Sequence, residues 1–551
     1  MAAQHPGELA VAVQQPKRQD GRYHYLKFTL RELDQISDRV AHGLSTLGIT
    51  RGTRTVLMVK PSIDFFALTF ALFKTGAIPV FVDPGMGVKN LGVCLAEAAP
   101  EAFIGIPKAH IARVLLGWAR PSLRILVTVG TKLGWGGTTL AVVARSASER
   151  RERFPMIEPA PHETAAILFT SGSTGVPKGA VYTHEIFNAQ VESLRRDYGI
   201  QPGERDLATF PLFALFGPAL GMAAIIPDMD ASKPGEADPK KIIAAIQDHV
   251  CTNMFGSPAL LDVVGRYGAA RGIKLSTLKR VISAGAPANI PSLQRLTTML
   301  NEETEILPSY GATEALPVAY IGSKELFTTA VRTDQGAGVC VGRPIMGMDV
   351  RVIKISDEPI PEWSDGLLAA PGEIGEITVR GPVVTRAYFN RPESTALAKI
   401  QDVAMGEVIH RMGDVGYFDA QGRLWMCGRK SQRVVTAEKT YFTIPCERIF
   451  NTHPSVRRTA LVGVVPRSAA PGGRGTTEAV LCVELEREVS RSDYMRLREE
   501  LLALAGTHKT TKGIETVLFH PCFPVDIRHN AKIFREKLAL WAEHQVSHTA
   551  P

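Results

Sequence analysis

Seven cysteines are few for 551 residues, and no two of them form a C-x-x-C pair. Cys94, Cys251, Cys340, Cys427, Cys446, Cys482 and Cys522 stand too far apart for a disulfide framework or a cysteine zinc site, so reduced thiols in a cytosolic compartment are expected. Residues 1–20, MAAQHPGELAVAVQQPKRQD, lack the basic start and apolar core of a secretory signal. Basic runs interleaved with aromatics are missing too, which argues against a nucleic-acid groove. The net charge of +8 is carried by scattered Lys and Arg. It reads as solubility, with anionic partners such as nucleotides or acidic lipid surfaces as the alternative. One stretch has no charge at all: LATFPLFALFGPALGMAAIIP, residues 207–227, is long enough to cross a bilayer. Pro211, Gly217, Pro218 and Gly221 would break such a span, and Asp206 and Asp228 flank it. It is read instead as a buried strand–turn–helix passage walling an apolar cavity, in a soluble, cytoplasmic chain.

What is present is an ordinary globular composition, 45% apolar and 21% charged, in a chain too long for one core. Apolar runs at 54–60, 77–83, 164–171 and 278–285 are β-rich and alternate with helical patterns, which predicts α/β architecture with largely parallel sheets. After about residue 335 the runs become short, alternating and turn-rich, as in a small barrel-like antiparallel part. From Ser431 a new set begins: RVVTAE, TALVGVVP, EAVLCVELE, a charged helix near 492–505 and a last helix from Lys532. The expected division is a large domain over 1–429 and a small, mobile α+β domain over 430–551. The segment APGGRGTT, residues 470–477, reads as a surface loop.

TSGSTGVPKG, residues 170–179, packs glycines, hydroxyls and one lysine after the strand AAILFT. It is not a Walker A loop, because Pro177 rather than glycine precedes Lys178 and Gly179 follows it. Backbone N–H groups freed by Gly172 and Gly175, with Thr170, Ser171, Ser173, Thr174 and Lys178, would still suit a phosphate. Four further patterns follow in order: SAGAPA at 283–288, SYGATE at 309–314, RMGDVGYFDAQGRLWMCGRK at 411–430 and RHNAKI at 528–533. Together the five resemble the adenylate-forming superfamily of acyl-CoA synthetases, peptide-synthetase adenylation domains and firefly luciferase, over nearly the whole chain. The resemblance implies ATP and Mg²⁺. By it, the loop grips the β- and γ-phosphates, and Gly285, Ala286 and Pro287 line the adenine slot. Tyr310, followed by Gly311 and Ala312, stacks on the base. Thr313 touches the α-phosphate and Glu314 holds Mg²⁺. Asp414 binds the ribose hydroxyls, Arg429 supports the ribose and phosphate, and Lys532 is the catalytic lysine. His184 and His410 receive no role.

Several positions depart from the acyl-CoA synthetase pattern. GRKSQRVVTAE puts Ser431 at the hinge, Val435 where lysine is expected and Glu438 where a glycine borders the thiol tunnel. Ala214 replaces a frequent histidine, and the final motif is RHNAK rather than R-x-G-K. These departures resemble the branch that closes β-lactones in bacterial long-chain olefin biosynthesis. That resemblance implies a 2-alkyl-3-hydroxyalkanoic acid activated as its AMP anhydride, then attacked by its own 3-hydroxyl. It also implies possible assembly with other olefin-biosynthesis enzymes. The alternatives are a long-chain acyl-CoA or acyl-carrier ligase and, from another class, a non-catalytic basic nucleotide-binding protein.

Overall fold

The fold is taken from a computed structural model, which describes residues 1–17, 21–146, 152–170, 177–465, 477–525 and 533–549. The four apolar runs are strands: Arg54–Met58, Ile78–Val82, Thr164–Thr170 and Arg280–Ser283. The first three belong to a seven-stranded sheet that also holds Ala102–Gly105, Ile125–Thr128 and Thr138–Thr139, all parallel. Lys178–Thr183 closes its edge, antiparallel to Thr164–Thr170. Helices cover it where local chemistry starts and stops them. Helix Ile63–Thr75, for example, is capped by the Ser62 hydroxyl at Phe65 N and ends on Gly76 at φ 70°.

The second sheet has fourteen strands. Leu9–Gln15, Ala223–Ile226, Arg205–Ala208, Asn253–Phe255, Arg280–Ser283 and Glu305–Ala312 pair in parallel, in that spatial order. Glu305–Ala312 is where the pairing changes hand. Its other neighbour, Ala315–Tyr320, is antiparallel, and Val339–Pro344, Leu424–Arg429, Glu407–Phe418, Gly375–Arg380 and Asp349–Ile353 continue the ladder the same way. This arm is the turn-rich part expected after residue 335, and in the strand pairing it is an open ladder. The two sheets share a core in which Phe66, Leu68 and Ala224 are fully buried. Each large aliphatic or aromatic side chain removed from water there contributes about 1.5–3 kcal/mol.

The charge-free segment is folded into short pieces, Arg205–Ala208, Pro211–Ala214, Phe216–Leu220 and Ala223–Ile226. Among the described residues, no helix is long and apolar enough to cross a membrane.

The smaller C-terminal domain has a three-stranded sheet of Val456–Val464, Glu478–Leu485 and Thr516–Phe519. Helices Thr443–Phe450, Tyr494–Thr507 and Arg535–Thr549 accompany it. RVVTAE shrinks to Val434–Val435, paired with Thr440–Tyr441. The larger domain meets this one through Arg448 and Asp334, 2.5 Å apart. Residues 470–476 of the expected surface loop lie outside the described residues.

Candidate active site

Parallel strands deliver their following loops to one edge of a sheet, and ligands collect there. A cavity of ≈ 2970 Å³ opens at that edge and extends to the small domain. Lys178, Gly285, Ala286, Pro287, Tyr310, Gly311, Ala312, Thr313, Glu314, Asp414 and Arg429 all line it, so positions from Lys178 to Arg429 converge. Thr170 ends its strand opposite Lys178. Ser171, Gly172, Ser173, Thr174, Gly175 and Lys532 lie outside the described residues. Ile533 and Arg535, just beyond Lys532, line the same cavity. Arg535 is fixed by Glu447, whose Oε2 is 2.9 Å from Nη2, and by Gln432 Oε1 at 3.2 Å.

Thr313 and Glu314 form the two-residue connection between Glu305–Ala312 and Ala315–Tyr320. The preceding Gly311 is required there, since a Cβ would fall 2.8 Å from Ala315 O and 2.7 Å from Leu316 Cδ1. Side chains from elsewhere then lock the turn. The Tyr182 hydroxyl donates to Thr313 O at 2.5 Å, and Thr385 donates to Glu314 O through its backbone N at 2.8 Å and its Oγ1 at 3.1 Å. The Tyr388 hydroxyl donates to Glu314 Oε1 at 2.6 Å. Gly285, at φ 93°, turns the chain after strand Arg280–Ser283 with a backbone conformation that L side chains avoid.

Asp414 and Arg429 are direct cross-strand partners in the antiparallel ladder, which brings Arg429 Nη1 to 3.0 Å from Asp414 Oδ1. Tyr310 donates its hydroxyl to Asp414 Oδ2 at 2.8 Å. Burial raises the Asp414 carboxyl above its ordinary value, while Arg429 and Tyr310 oppose that rise. Arg429 is in turn held more firmly protonated by Asp414. Despite Arg429 nearby, Asp414 Oδ1 accepts no hydrogen bond from the described residues. An ion-paired but not hydrogen-bonded carboxylate oxygen keeps acceptor capacity, which suits it to receive a polyol hydroxyl.

Three residues in or beside the site are given no role by the sequence motifs. Tyr388 holds the Glu314 carboxylate, and Lys178 Nζ stands 5.1 Å above its ring. Lys399, 3% exposed, bonds to Thr385 O and Oγ1, and burial pushes its ammonium down to about 7. His410, which the sequence left without a role, is buried against Ala398 O at 3.1 Å, and burial holds it well below the usual imidazole range. Each is an ordinary residue type whose partner no local pattern names, 74 residues away for Tyr388 and 14 and 12 for Lys399 and His410.

A second region of the cavity is aromatic. Phe187 lies 5.9 Å from Phe73 and 6.4 Å from Phe216; Phe213 follows, 6.3 Å from Phe216 and stacked on Phe255 at 4.1 Å. Phe210, Leu212, Ala214 and Leu215 extend this wall, so the charge-free segment does line an apolar cavity. Glu438 is exposed between the short strands Val434–Val435 and Thr440–Tyr441, and it is not among the lining residues.

Just past strand Leu424–Arg429, Lys430 reaches back to Glu376 at 3.1 Å and to Ser356 O at 2.8 Å. The same carboxylate receives Arg411 at 2.6 Å, and both members of that pair are 1% exposed.

The chain shares its fold with the amide bond synthetase McbA from Marinactinospora thermotolerans, on which it superposes with a TM-score of 0.76, at 23% identity and 97% coverage of both chains. The chain belongs to the AMP-binding enzyme family, which matches residues 2–389. Among curated relatives, the olefin beta-lactone synthetase of Stenotrophomonas maltophilia is 52% identical over 94% of this chain and 92% of its own length. The olefin beta-lactone synthetase of Xanthomonas campestris pv. campestris is 48% identical over 99% of this chain and 96% of its own.

Proposed function

We propose that the chain is an ATP-dependent, AMP-forming β-lactone synthetase acting on a long-chain 2-alkyl-3-hydroxyalkanoic acid. The observation that carries the reading is the junction, in one cavity, of an acidic and cationic nucleotide cradle with a wall of phenylalanines. Near-50% identity to the two olefin beta-lactone synthetases supports the lactone step. The boundary between the domains falls at Arg429 and Lys430, giving 1–429 and 430–551.

In this reading Gly285, Ala286 and Pro287 face the adenine, while Tyr310, with Gly311 and Ala312, flanks it. Asp414 accepts the ribose hydroxyls through Oδ1, which pairs with Arg429 but accepts no hydrogen bond from the described residues. The loop 170–179 takes the β- and γ-phosphates, with Lys178 in its described part. Thr313 meets the α-phosphate. Glu314 fits Mg²⁺, because its Oε2 takes no hydrogen bond from the described residues and no cluster of three metal-ligating side chains competes among them. One carboxylate plus substrate phosphates is a usual magnesium environment, and the ion offsets the crowded phosphate charge.

The substrate carboxylate oxygen bonds to the α-phosphorus and the bond to pyrophosphate breaks, giving the acyl-AMP anhydride. Positioning and electrostatics dominate such a displacement, which is the role of the Lys532 ammonium. The 3-hydroxyl oxygen then bonds to the acyl carbon, its proton is released, and AMP leaves with the anhydride oxygen. Because nucleophile and electrophile share one molecule, closure gains from high effective concentration and needs no thiol. Assembly with other enzymes of olefin formation, and a cytoplasmic setting, belong to the same reading. The test supplies purified protein with ATP, Mg²⁺ and a synthetic 2-alkyl-3-hydroxy acid. AMP and a product lighter than the acid by one water, formed without CoA, are expected; strict CoA dependence would overturn the lactone step.

A further inference from the structure

Helix Pro107–Leu116 is built inside out. Its fully buried residue is His110, with Nε2 3.0 Å from Val127 O and its ring stacked on Trp135 at 5.3 Å. Its aliphatic residues face water instead: Ile111, Val114, Leu115 and Leu116 are 43%, 54%, 77% and 51% exposed. At about 100° per residue, positions 111, 114 and 115 form one outward stripe, the reverse of the pattern on a helix at home in water. Turning the same helix a little further brings Lys108, Ala109 and Ala112 into view, and these line the cavity. The exposed stripe and the apolar interior therefore meet along one flank.

The rim of this face is basic. Lys108 on the helix, Arg120 just after it and Lys89 on helix Val88–Ala98 are all exposed. Helix Val88–Ala98 meets the segment that follows it, with Gly92 against Trp118, and adds exposed Val88 and Val93. The acidic residues of the region are engaged elsewhere, Glu97 with Arg391 at 2.6 Å and Glu101 with Arg54 at 3.5 Å.

We propose that this face docks on an anionic lipid bilayer, and that the long-chain acid passes from the membrane into the cavity along the Lys108–Ala112 flank. The proposal rests on the long-chain reading of the site given above. The aliphatic stripe enters the interfacial region and the basic rim meets lipid phosphates, the two contributions that together give stable but reversible membrane attachment. A second copy of this chain suits the face less well, because a symmetric contact would bring the lysine and arginine rims of both copies together.

The experiment is co-sedimentation of the full chain with phosphatidylcholine vesicles, alone or mixed with an equal part of phosphatidylglycerol. Binding to the mixed vesicles, weakened by salt and reduced at least about tenfold by Ile111→Ser with Leu115→Ser, is expected. The double variant should keep the wild-type melting temperature and its AMP formation on detergent-dispersed acid. Absence of binding by the wild type, or equal binding by the double variant, would overturn the proposal. So would loss of a dimer in the double variant by sedimentation velocity, which would assign the face to a second copy. Vesicle binding is read without turnover, so a failed lactone assay and a failed docking test remain distinct results.

Discussion

Glu314 is held by groups that no motif announces. Tyr388 orients its carboxylate, Thr385 pins its carbonyl, and Lys399 lies beneath, bonded to Thr385. The motif residues themselves were legible because their types and order resemble a family; the three supporting side chains were not, since a tyrosine, a threonine and a lysine are uninformative until the fold brings them together. Lys399 has a measurable consequence. Its ammonium is ordinarily protonated up to about 10.5, but burial lowers that to about 7 in the folded protein. Below about 7 both states hold the proton and the cost of burying the charge is full. Between about 7 and 10.5 the unfolded chain holds a proton that the folded chain releases, so this group makes stability rise with pH. In thermal melts, the melting temperature of Lys399→Met relative to wild type should therefore fall steadily as pH climbs through that window. A difference that stays flat would show that Lys399 is charged in the fold.

Strands that are buried on both faces announce themselves as continuous apolar runs, which is why Arg54–Met58, Ile78–Val82, Thr164–Thr170 and Arg280–Ser283 were readable. Leu9–Gln15 was less visible: AVAVQQ drew notice only as a poor leader, yet it forms a buried strand inside the fourteen-stranded sheet. Pairing partners were not legible either, because nothing local states that Gly375–Arg380 will lie beside Glu407–Phe418. That pairing creates the buried Glu376–Arg411 contact, to which Lys430 adds. Removing one partner of a buried pair strands the other charge. Arg411→Met should cost about 3–5 kcal/mol, less whatever Lys430 recovers, seen as a lower urea midpoint with an unchanged slope. A midpoint equal to wild type would mean that Lys430 alone satisfies Glu376.

For the whole molecule, the order of the strands has a mechanical corollary. Arg280–Ser283, which leads into Gly285, and the pair carrying Asp414 and Arg429 lie on a single hydrogen-bonded ladder that passes through Glu305–Ala312. A nucleotide touching both ends would act as a clasp across a hoop. Opening any strand within the hoop would then require releasing the clasp, so its protection would be shared rather than local. Amide hydrogen exchange with and without ATP should slow through strands 280–283, 305–320, 339–344 and 407–429 together, beyond the residues the ligand touches. Protection confined to the contact residues would mean that the ladder breathes in independent parts. Lys430 follows Arg429 directly and ties back to Glu376, so the clasp ends where the chain leaves the ladder, and filling the nucleotide pocket would stiffen that exit.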